Sequence, residues 1–170
     1  MEISTKVILG LGSNLGERLE ILRTACTLLT KEVGNIISSS KLYESKSWGF
    51  ETDDFFLNAC IVIETPFTPE GVLNKINHIE RELGRQRAEG TIGYTSRTLD
   101  IDILYFGKQQ INLPNLIIPH PEIPNRKFVL YPLKDLNETF FQSISYQSIE
   151  EMIRACIDEI EPISIHETWL

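Results

Sequence analysis

The segment Arg97-Thr98-Leu99-Asp100-Ile101-Asp102-Ile103-Leu104 alternates apolar and acidic side chains from Leu99 to Ile103. In a β-strand, side chains two positions apart point to the same side, with roughly 7 Å between their Cα atoms. Asp100 and Asp102 therefore project together, while the apolar residues between and beside them enter a core. The segment predicts a half-buried strand that presents two carboxylates on its polar face.

A strand and a helix are predicted near the beginning of the chain. Val7–Leu11 is a short apolar run, and Gly12–Gly16 supplies turn-forming residues that are expected to end it. Apolar residues then recur every three or four positions over Leu19–Val33, which is the pattern of a helix with one buried face. Asn14, followed three positions later by Glu17, predicts a capping box at the start of this helix.

Two further strands and a second helix precede the acidic segment. Ile36–Tyr43 and Leu57–Ile63 contain many strand-forming residues and are expected to pair as antiparallel neighbours. Thr68 as the cap and Pro69 in the first turn predict the start of a helix with one apolar face. This helix is expected to stop near Gly84.

Shorter elements are predicted beyond the acidic segment. A hairpin leads into the proline-rich stretch Leu113–Pro124. A helix is predicted over 126–136, and Pro132 is expected to end or kink it, because proline lacks the N–H of a helical hydrogen bond. A last short helix over 148–157 begins with a capping box. The stretch 163–165 is interpreted only as packing.

The order of these elements predicts the fold class. Strand, helix, strand, strand, helix, strand is the order of a split β-α-β unit. It predicts an α+β, ferredoxin-like fold with a three-layer α/β/α arrangement around a mostly antiparallel sheet. A length of 170 residues lies in the ordinary range of one domain, and neither a repeat nor a linker divides the chain. We therefore expect a single domain over 1–170.

The composition argues against several functional classes. Twenty-four acidic and sixteen basic residues give a net charge of −8, which is unfavourable for general binding to nucleic acid or to an anionic membrane. No run approaches the roughly 20 apolar residues that span a bilayer, and the N-terminus lacks a signal-peptide pattern. The three cysteines are far apart and lie in apolar runs, so we expect buried thiols in a reducing compartment. A cytoplasmic location is the expectation.

The paired carboxylates are a candidate metal site. Two ionised carboxylates on one strand face repel each other, and a divalent cation relieves that repulsion. Magnesium prefers a few carboxylates together with phosphate oxygens. On spacing alone, a polar strand face that is simply wetted by solvent explains the pattern equally well.

Three arginines flank a glycine-containing stretch, Glu89–Ser96, that is expected to be a loop. They are Arg85, Arg87 and Arg97. Guanidinium groups clamp polyphosphates through charge-assisted, often bidentate hydrogen bonds. The alternative is that they only make the surface soluble, but their position beside Asp100 favours phosphate binding.

Aromatic side chains near the predicted loops are candidates for binding a flat heterocycle. They are Trp48, Phe55, Phe56, Tyr94 and Phe128. The alternative for each ring, taken singly, is a place in the core. Gly10–Gly16 fits neither common glycine-rich nucleotide motif and is interpreted as a turn. His120 lies between two prolines, which hold it in an extended context.

Five motifs, taken in order and spacing, resemble the 6-hydroxymethyl-7,8-dihydropterin pyrophosphokinases of folate biosynthesis. They are Gly12-Ser13-Asn14-Leu15-Gly16, Phe56-Leu57-Asn58-Ala59, Glu80 through Gly84-Arg85-Gln86-Arg87, the segment Arg97–Leu104, and Pro119-His120-Pro121 through Asn125–Leu130. The resemblance extends over residues 6–136.

The resemblance implies transfer of the β,γ-pyrophosphoryl group of ATP to the hydroxymethyl oxygen of the pterin, with release of AMP. It implies that Asp100 and Asp102 hold two magnesium ions that bridge the triphosphate. Together with Arg85 and Arg97, they are the implied catalytic residues. The expected partners are ATP and the pterin, with no nucleic acid, no membrane and a monomeric state.

The resemblance also implies two sets of binding residues. The pterin set is Ser45, Trp48, Phe56, Asn58 and Phe128. The nucleotide set is Glu80, Arg85, Arg87, Arg97, Ile103, His120 and Arg126. The chain departs from the family pattern where Ser45–Gly49 lacks a Thr-Pro-Pro sequence, where Phe56 replaces a frequent tyrosine, and where Tyr94 stands near the position of a usual tryptophan.

Two other functions fit parts of the pattern. One is a non-catalytic ferredoxin-like module that binds RNA or a regulatory small molecule. RNA binding favours a basic sheet face with exposed aromatic rings, whereas the central strand here carries Asp100 and Asp102. The other is a different magnesium-dependent phosphoryl or nucleotidyl transferase that uses the same carboxylate pair.

Overall fold

A computed structural model describes residues 3–48, 54–84, 98–166 and 168–170. Its strands are β1 (Thr5–Ser13), β2 (Asn35–Ser39), β3 (Leu42–Ser45), β4 (Phe56–Thr65), β5 (Asp100–Phe106), β6 (Ile111–Leu113), β7 (Leu116–Ile118) and β8 (Ile163–His166). Its helices are α1 (Arg18–Glu32), α2 (Pro69–Glu82), α3 (Lys127–Leu136) and α4 (Ile149–Ala155), with a 3-10 turn at Ile123–Asn125. The protein is therefore a mixed α/β structure.

Six of the strands form the central sheet. Its order is β5-β1-β4-β3-β8, and β2 pairs with β4 beside β3. The pairings found within the described residues of this sheet are antiparallel. In the register, Gly12 lies opposite both Asn58 and Asp100, and Gly10 lies opposite both Cys60 and Asp102. These six positions share one face, because residues directly opposite in a sheet point the same way.

The two faces of the sheet are covered by different helices. On one face, alternate residues of β1, β4 and β5 pack with α1 and α2 in one apolar cluster that includes Leu9, Ile61 and Ile101. On the other face, Ile8 and Val62 pack with α3 and α4 in a second cluster. The sheet is therefore the middle of three layers.

Two of the three predicted helix caps are confirmed. The Thr68 hydroxyl accepts the backbone N–H of Gly71 at 3.2 Å, and Ser148 forms a reciprocal capping box with Glu151. The capping box predicted at Asn14 is wrong. The N-cap of α1 is Glu17, which makes no side-chain capping bond, because β1 runs through Ser13 and the turn starts later than expected.

Two other boundaries differ from the predictions. The stretch 36–43 is two strands, because Ser40 interrupts it: the Ser40 hydroxyl, in place of a backbone carbonyl, accepts the N–H of Cys60 at 2.9 Å. Gly10 and Gly12 lie inside β1 and not in a turn. The helix predicted over 126–136 is confirmed as α3, and Pro132 lies inside it without ending it.

The C-terminal stretch that was interpreted as packing is a strand. β8 pairs with β3 and forms an edge of the sheet. Trp169 follows it, is 3% exposed, and packs into the cluster on the α1 and α2 face.

Each described helix is too short or too polar to cross a lipid bilayer.

Candidate active site

A pocket lies on the α3 side of the sheet, at the end where Gly12, Asn58 and Asp100 are neighbours. It encloses about 660 Å³, including the open space at its mouth. The lining residues come from β1, β4 and β5, from the chain after β3, and from the start of α3. They include Gly10, Gly12, Ser45, Trp48, Phe56, Asn58, Cys60, Asp100, Asp102, Arg126 and Phe128.

The two glycines of β1 form the floor of the pocket. A Cβ atom at Gly12 would lie 2.8 Å from Oδ1 of Asn58, which is closer than real Cβ atoms approach an oxygen. Glycine is needed here because Asn58 leans across the strand, so the absence of a side chain makes room for the amide. This role was not predicted, since glycine in a short apolar run indicates a turn as readily as a close approach.

Asp100 and Asp102 line the same pocket, as the alternation of the segment predicts. The apolar residues beside them, Leu99 and Ile101, are 0% and 5% exposed, so the predicted division between polar face and core is confirmed. Ile103 is also in the core, in the cluster with α1 and α2. Its side chain is not among those that line the pocket.

Two basic side chains converge on Asp102. Nη1 of Arg126 lies 4.0 Å from Oδ2, and Nε2 of His120 lies 3.9 Å from Oδ1. Arg126 is only 6% exposed. The carboxylate is thus flanked by two donors from the segment that follows β7, a juxtaposition that joins residues far apart in sequence.

The hydrogen bonds of His120 identify its tautomer. Nδ1 accepts the backbone N–H of Glu122 at 3.2 Å, so the proton of the neutral ring is on Nε2, which faces Asp102. Burial and the neighbouring Arg126 lower the pKa of His120, against the opposing effect of Asp100 and Glu122. At neutral pH the ring is therefore an uncharged donor that points into the region of the carboxylates.

Glu80 has a role that the sequence did not specify. Its side chain is 3% exposed, and Oε1 accepts the backbone N–H of Ile101 at 2.8 Å. Ile101 separates the two aspartates, and β5 is an edge strand of the sheet. Glu80 therefore satisfies an N–H on the open side of β5 and holds the aspartate-bearing strand against α2.

Aromatic rings form the opposite side of the pocket. The guanidinium carbon of Arg126 is 4.5 Å from the ring centre of Trp48 and 5.7 Å from that of Phe128. Phe56 also lines the pocket, whereas Phe55 is 45% exposed and does not. A cation against ring faces is a favourable contact of about 0.5–2 kcal/mol. The same faces are suited to a flat heterocycle.

Two polar groups lie between the aromatic side and the floor. Asn58 is 7% exposed and Ser45 is 3% exposed. Among the residues that the structure describes, no group forms a hydrogen bond with the Ser45 hydroxyl. A buried hydroxyl without a partner costs about 1–3 kcal/mol, so a bound molecule with a polar edge gains by reaching it.

Four of the predicted residues lie outside the part of the chain that the structure describes: Arg85, Arg87, Tyr94 and Arg97. Cys60 lines the floor of the pocket, and burial raises the pKa of its thiol, which keeps it protonated and unsuited to act as a nucleophile. The structure thus gathers the five predicted pterin residues, both aspartates and Arg126 into one pocket, with His120 beside it.

Residues 8–138 match the model of the family described as 7,8-dihydro-6-hydroxymethylpterin-pyrophosphokinase, or HPPK. The chain belongs to the HPPK family. It is 41% identical over 132 residues to the 2-amino-4-hydroxy-6-hydroxymethyldihydropteridine pyrophosphokinase of Porphyromonas gingivalis, a match that covers 76% of this chain and 89% of that protein. The enzyme of the same name from Aquifex aeolicus is 36% identical over 145 residues, covering 85% and 88% of the two chains.

Solved structures share the fold at lower sequence identity. The HPPK-DHPS protein of Plasmodium falciparum superposes with a TM-score of 0.71 and 18% identity, over 91% of this chain. The match covers 44% of that longer chain. The HPPK fold thus occurs there within a larger protein, whereas the bacterial relatives are close to this chain in length.

Proposed function

We propose that this protein transfers the pyrophosphoryl group of ATP to 6-hydroxymethyl-7,8-dihydropterin, giving the pterin diphosphate and AMP, as its family does in folate biosynthesis. The observation that carries the proposal is the sharing of one pocket by an aromatic-lined slot and a pair of carboxylates. This arrangement suits a flat acceptor beside a metal-bound polyphosphate. Membership of the family supports the same reaction.

The pterin occupies the part of the pocket between Phe56 and Phe128. Its flat ring system suits contact with their faces, as stacked and offset arrangements are favourable. Asn58 and Ser45 are the polar groups within this part of the pocket, so they are assigned to the nitrogen- and oxygen-bearing edge of the ring. Trp48, in contact with Arg126, is a third ring of the pocket that is available to the pterin.

The donor set on β5 fits magnesium. Asp100 and Asp102 supply hard carboxylate oxygens on one strand face, and the open pocket leaves room for phosphate oxygens to complete the coordination. Two ions are proposed from the resemblance to the family. When bound, magnesium neutralises the triphosphate and makes its β-phosphorus more electrophilic.

The chain's own residues position the nucleotide. Arg126 and the Nε2–H of His120 are donors directed toward the region around Asp102, where phosphate oxygens accept hydrogen bonds. Arg85, Arg87 and Arg97 are proposed to add further donors from the sequence on either side of Glu89–Ser96. Glu80 acts through Ile101 by holding β5 in place.

The reaction balances without a covalent enzyme intermediate. The hydroxymethyl oxygen forms a bond to the β-phosphorus, and the bond from that phosphorus to the oxygen bridging the α-phosphate breaks. AMP leaves with this oxygen, and the hydroxyl proton passes to solvent. The protein contributes orientation and electrostatic stabilisation, which are the main contributions in phosphoryl transfer.

We also propose a ferredoxin-like arrangement of the sheet and its helices. The sheet order β5-β1-β4 followed by β2 and β3, with α1 and α2 on one face, supports a ferredoxin-like split β-α-β core. A single domain over 1–170, a monomeric state and a cytoplasmic location remain predictions.

The test is a product analysis. Protein, ATP, magnesium and 6-hydroxymethyl-7,8-dihydropterin are incubated, and nucleotides are separated chromatographically. We expect AMP and pterin diphosphate in equal amounts, and neither product without magnesium. ADP or released pyrophosphate as the main product would indicate a different phosphoryl or nucleotidyl transferase, and no turnover of ATP would indicate a binding module; both results contradict the proposal.

A further inference from the structure

The C-terminal tail, defined as residues 156–170, contacts α3 and β3, the two elements that support much of the pocket. None of the tail's described residues lines the pocket itself. It follows α4 and lies beyond the region that carries the family's motifs. Three sets of contacts connect it to α3 on one side and to β3 on the other.

The first contact is a helix cap supplied from the tail. The backbone N–H of Lys127, at the first position of α3, donates to Oδ2 of Asp158 at 3.1 Å. The N-cap residue of α3, Arg126, makes no side-chain capping bond, so Asp158 takes that place from 31 residues away. A carboxylate at a helix N-terminus satisfies an unpaired N–H and interacts favourably with the helix dipole.

The position of this cap connects it to the site. Lys127 lies between Arg126 and Phe128, both of which line the pocket. Asp158 is itself held, because its Oδ1 accepts the backbone N–H of Ile160 at 3.0 Å. The direction in which α3 begins therefore depends on Asp158.

The second contact reinforces the first turn of α3. Glu161 bonds with the ammonium group of Lys127 and accepts the hydroxyl of Tyr131. These two bonds lower the pKa of Glu161 below its ordinary value, so it is charged at neutral pH. Tyr131 also meets Tyr43 of β3 edge to face, with 6.1 Å between ring centres, so α3 and β3 are in direct contact beneath the pocket.

The third contact fixes β3. In the β8 pairing, Ile163 lies opposite Glu44 and Ser164 opposite Tyr43. Beyond β8, the indole N–H of Trp169 donates to the carbonyl of Ser40 at 2.8 Å, just before β3 begins. β3 ends at Ser45 and leads directly to Trp48, the two residues that it contributes to the pocket's aromatic side.

We propose that the C-terminal tail positions two segments that carry pterin-pocket residues. The end of β3 leads to Ser45 and Trp48, and β8 and Trp169 hold it. The start of α3 carries Arg126 and Phe128, and Asp158 and Glu161 hold it. Asp158 is thus a positioning residue for the pterin, and this assignment rests on the proposed function.

The test compares Asp158→Ala with Asp158→Asn and with Ser148→Ala in the full-length protein. Asparagine caps helices about as well as aspartate, so Asp158→Asn preserves the contact. Ser148→Ala removes a cap of the same kind from α4, none of whose described residues lines the pocket. The readouts are KM and kcat for both substrates, the dissociation constant for the pterin, and thermal unfolding.

Asp158→Ala is expected to raise the pterin KM and dissociation constant by roughly three- to tenfold, because the start of α3 loses its cap. Every kinetic constant of Asp158→Asn and Ser148→Ala should stay within about twofold of the wild-type value. Pterin affinity that is unchanged in Asp158→Ala, or weakened equally in Ser148→Ala, overturns the proposal.

Amide hydrogen exchange separates this proposal from the assignment of function. Asp158→Ala should speed exchange at the amides of 128–131 and 43–45 in the absence of any ligand, whereas Ser148→Ala should not. A wild-type protein that binds no pterin refutes the proposed function, and slower or unchanged exchange in Asp158→Ala refutes the tail's role whatever the ligand is.

Discussion

The two faces of the central sheet are built by the same strands but are filled differently. Toward α1 and α2, the inward residues are apolar through the middle of β1, β4 and β5, and Leu9, Ile61 and Ile101 are at most 5% exposed. Toward α3 and α4, the apolar filling covers only part of the sheet. Where it ends, Asn58 and Asp100 take its place, and the pocket opens.

The difference shows how one sheet separates stability from chemistry. The start of α3, at Lys127, borders the pocket, so the polar end of this face remains open to a ligand. Because side chains alternate along a strand, each carboxylate is next to a core residue that anchors it. Substitutions on the α1 and α2 face should therefore change stability, and substitutions at the polar end should change activity.

The largest effect is expected for Asp102→Ala. Loss of a metal-binding carboxylate removes several kcal/mol of transition-state stabilisation, so kcat should fall by about a thousandfold or more. The thermal midpoint should stay within a few degrees, because Asp102 is half-buried and belongs to neither apolar cluster. Steady-state kinetics measure kcat, and calorimetry measures the thermal midpoint. Substantial activity in this variant would exclude Asp102 as a metal ligand.

The matching change on the other face is Ile61→Ala. Ile61 is 0% exposed, and truncation of a buried isoleucine costs about 2–5 kcal/mol of unfolding free energy. Urea unfolding measures this loss. At a temperature where the variant is still folded, its kcat and both KM values should lie within about twofold of the wild type. A large kinetic defect in the folded variant would show that the two faces are not independent.

Glu80 is the expected exception, because it reaches from α2 to the strand that carries the aspartates. Glu80→Ala removes the acceptor of a buried N–H, which costs about 1–3 kcal/mol in stability. It should also lower kcat, since β5 is then held less firmly. Glu80→Gln keeps a carbonyl oxygen, so it should retain most of the stability and most of the kcat of the wild type. Urea unfolding and kinetics of the pair distinguish this role from direct nucleotide binding, for which glutamine would not restore ATP affinity.

The smallest effect is expected for Gly12→Ala. The added methyl group forces the amide of Asn58 to move by a few tenths of an ångström or more. Pterin affinity should fall by about tenfold, the cost of one weakened buried hydrogen bond, with a smaller change in the KM for ATP. Gly10→Ala is the control, because its Cβ would meet only Leu104 at 3.4 Å. Equal losses in both variants would contradict the role assigned to Asn58.

Much of the site was predictable because its signals are local. The alternation at Asp100 and Asp102 divides core from polar face within five residues, and the capping hydroxyl of Thr68 lies three residues from its donor, the N–H of Gly71. The family motifs then identified the aromatic and amide residues that the structure places in one pocket.

What the sequence did not predict depends on contacts between distant segments. Glycine in β1 is explained only by its register with Asn58, and the β8 strand only by its pairing with β3. The capping carboxylate of α3 comes from Asp158, which no pattern around Lys127 identifies. Periodicity describes one element at a time, so such features appear only when the elements are assembled.

The most direct test is a crystal structure of the protein with magnesium, the hydroxymethyl pterin and an ATP analogue whose α,β-bridging oxygen is replaced by methylene. We expect the pterin ring between Phe56 and Phe128, with magnesium on Asp100 and Asp102 and the β-phosphorus facing the hydroxymethyl oxygen. A metal held by other residues, or a pterin bound away from Asn58, would contradict the account.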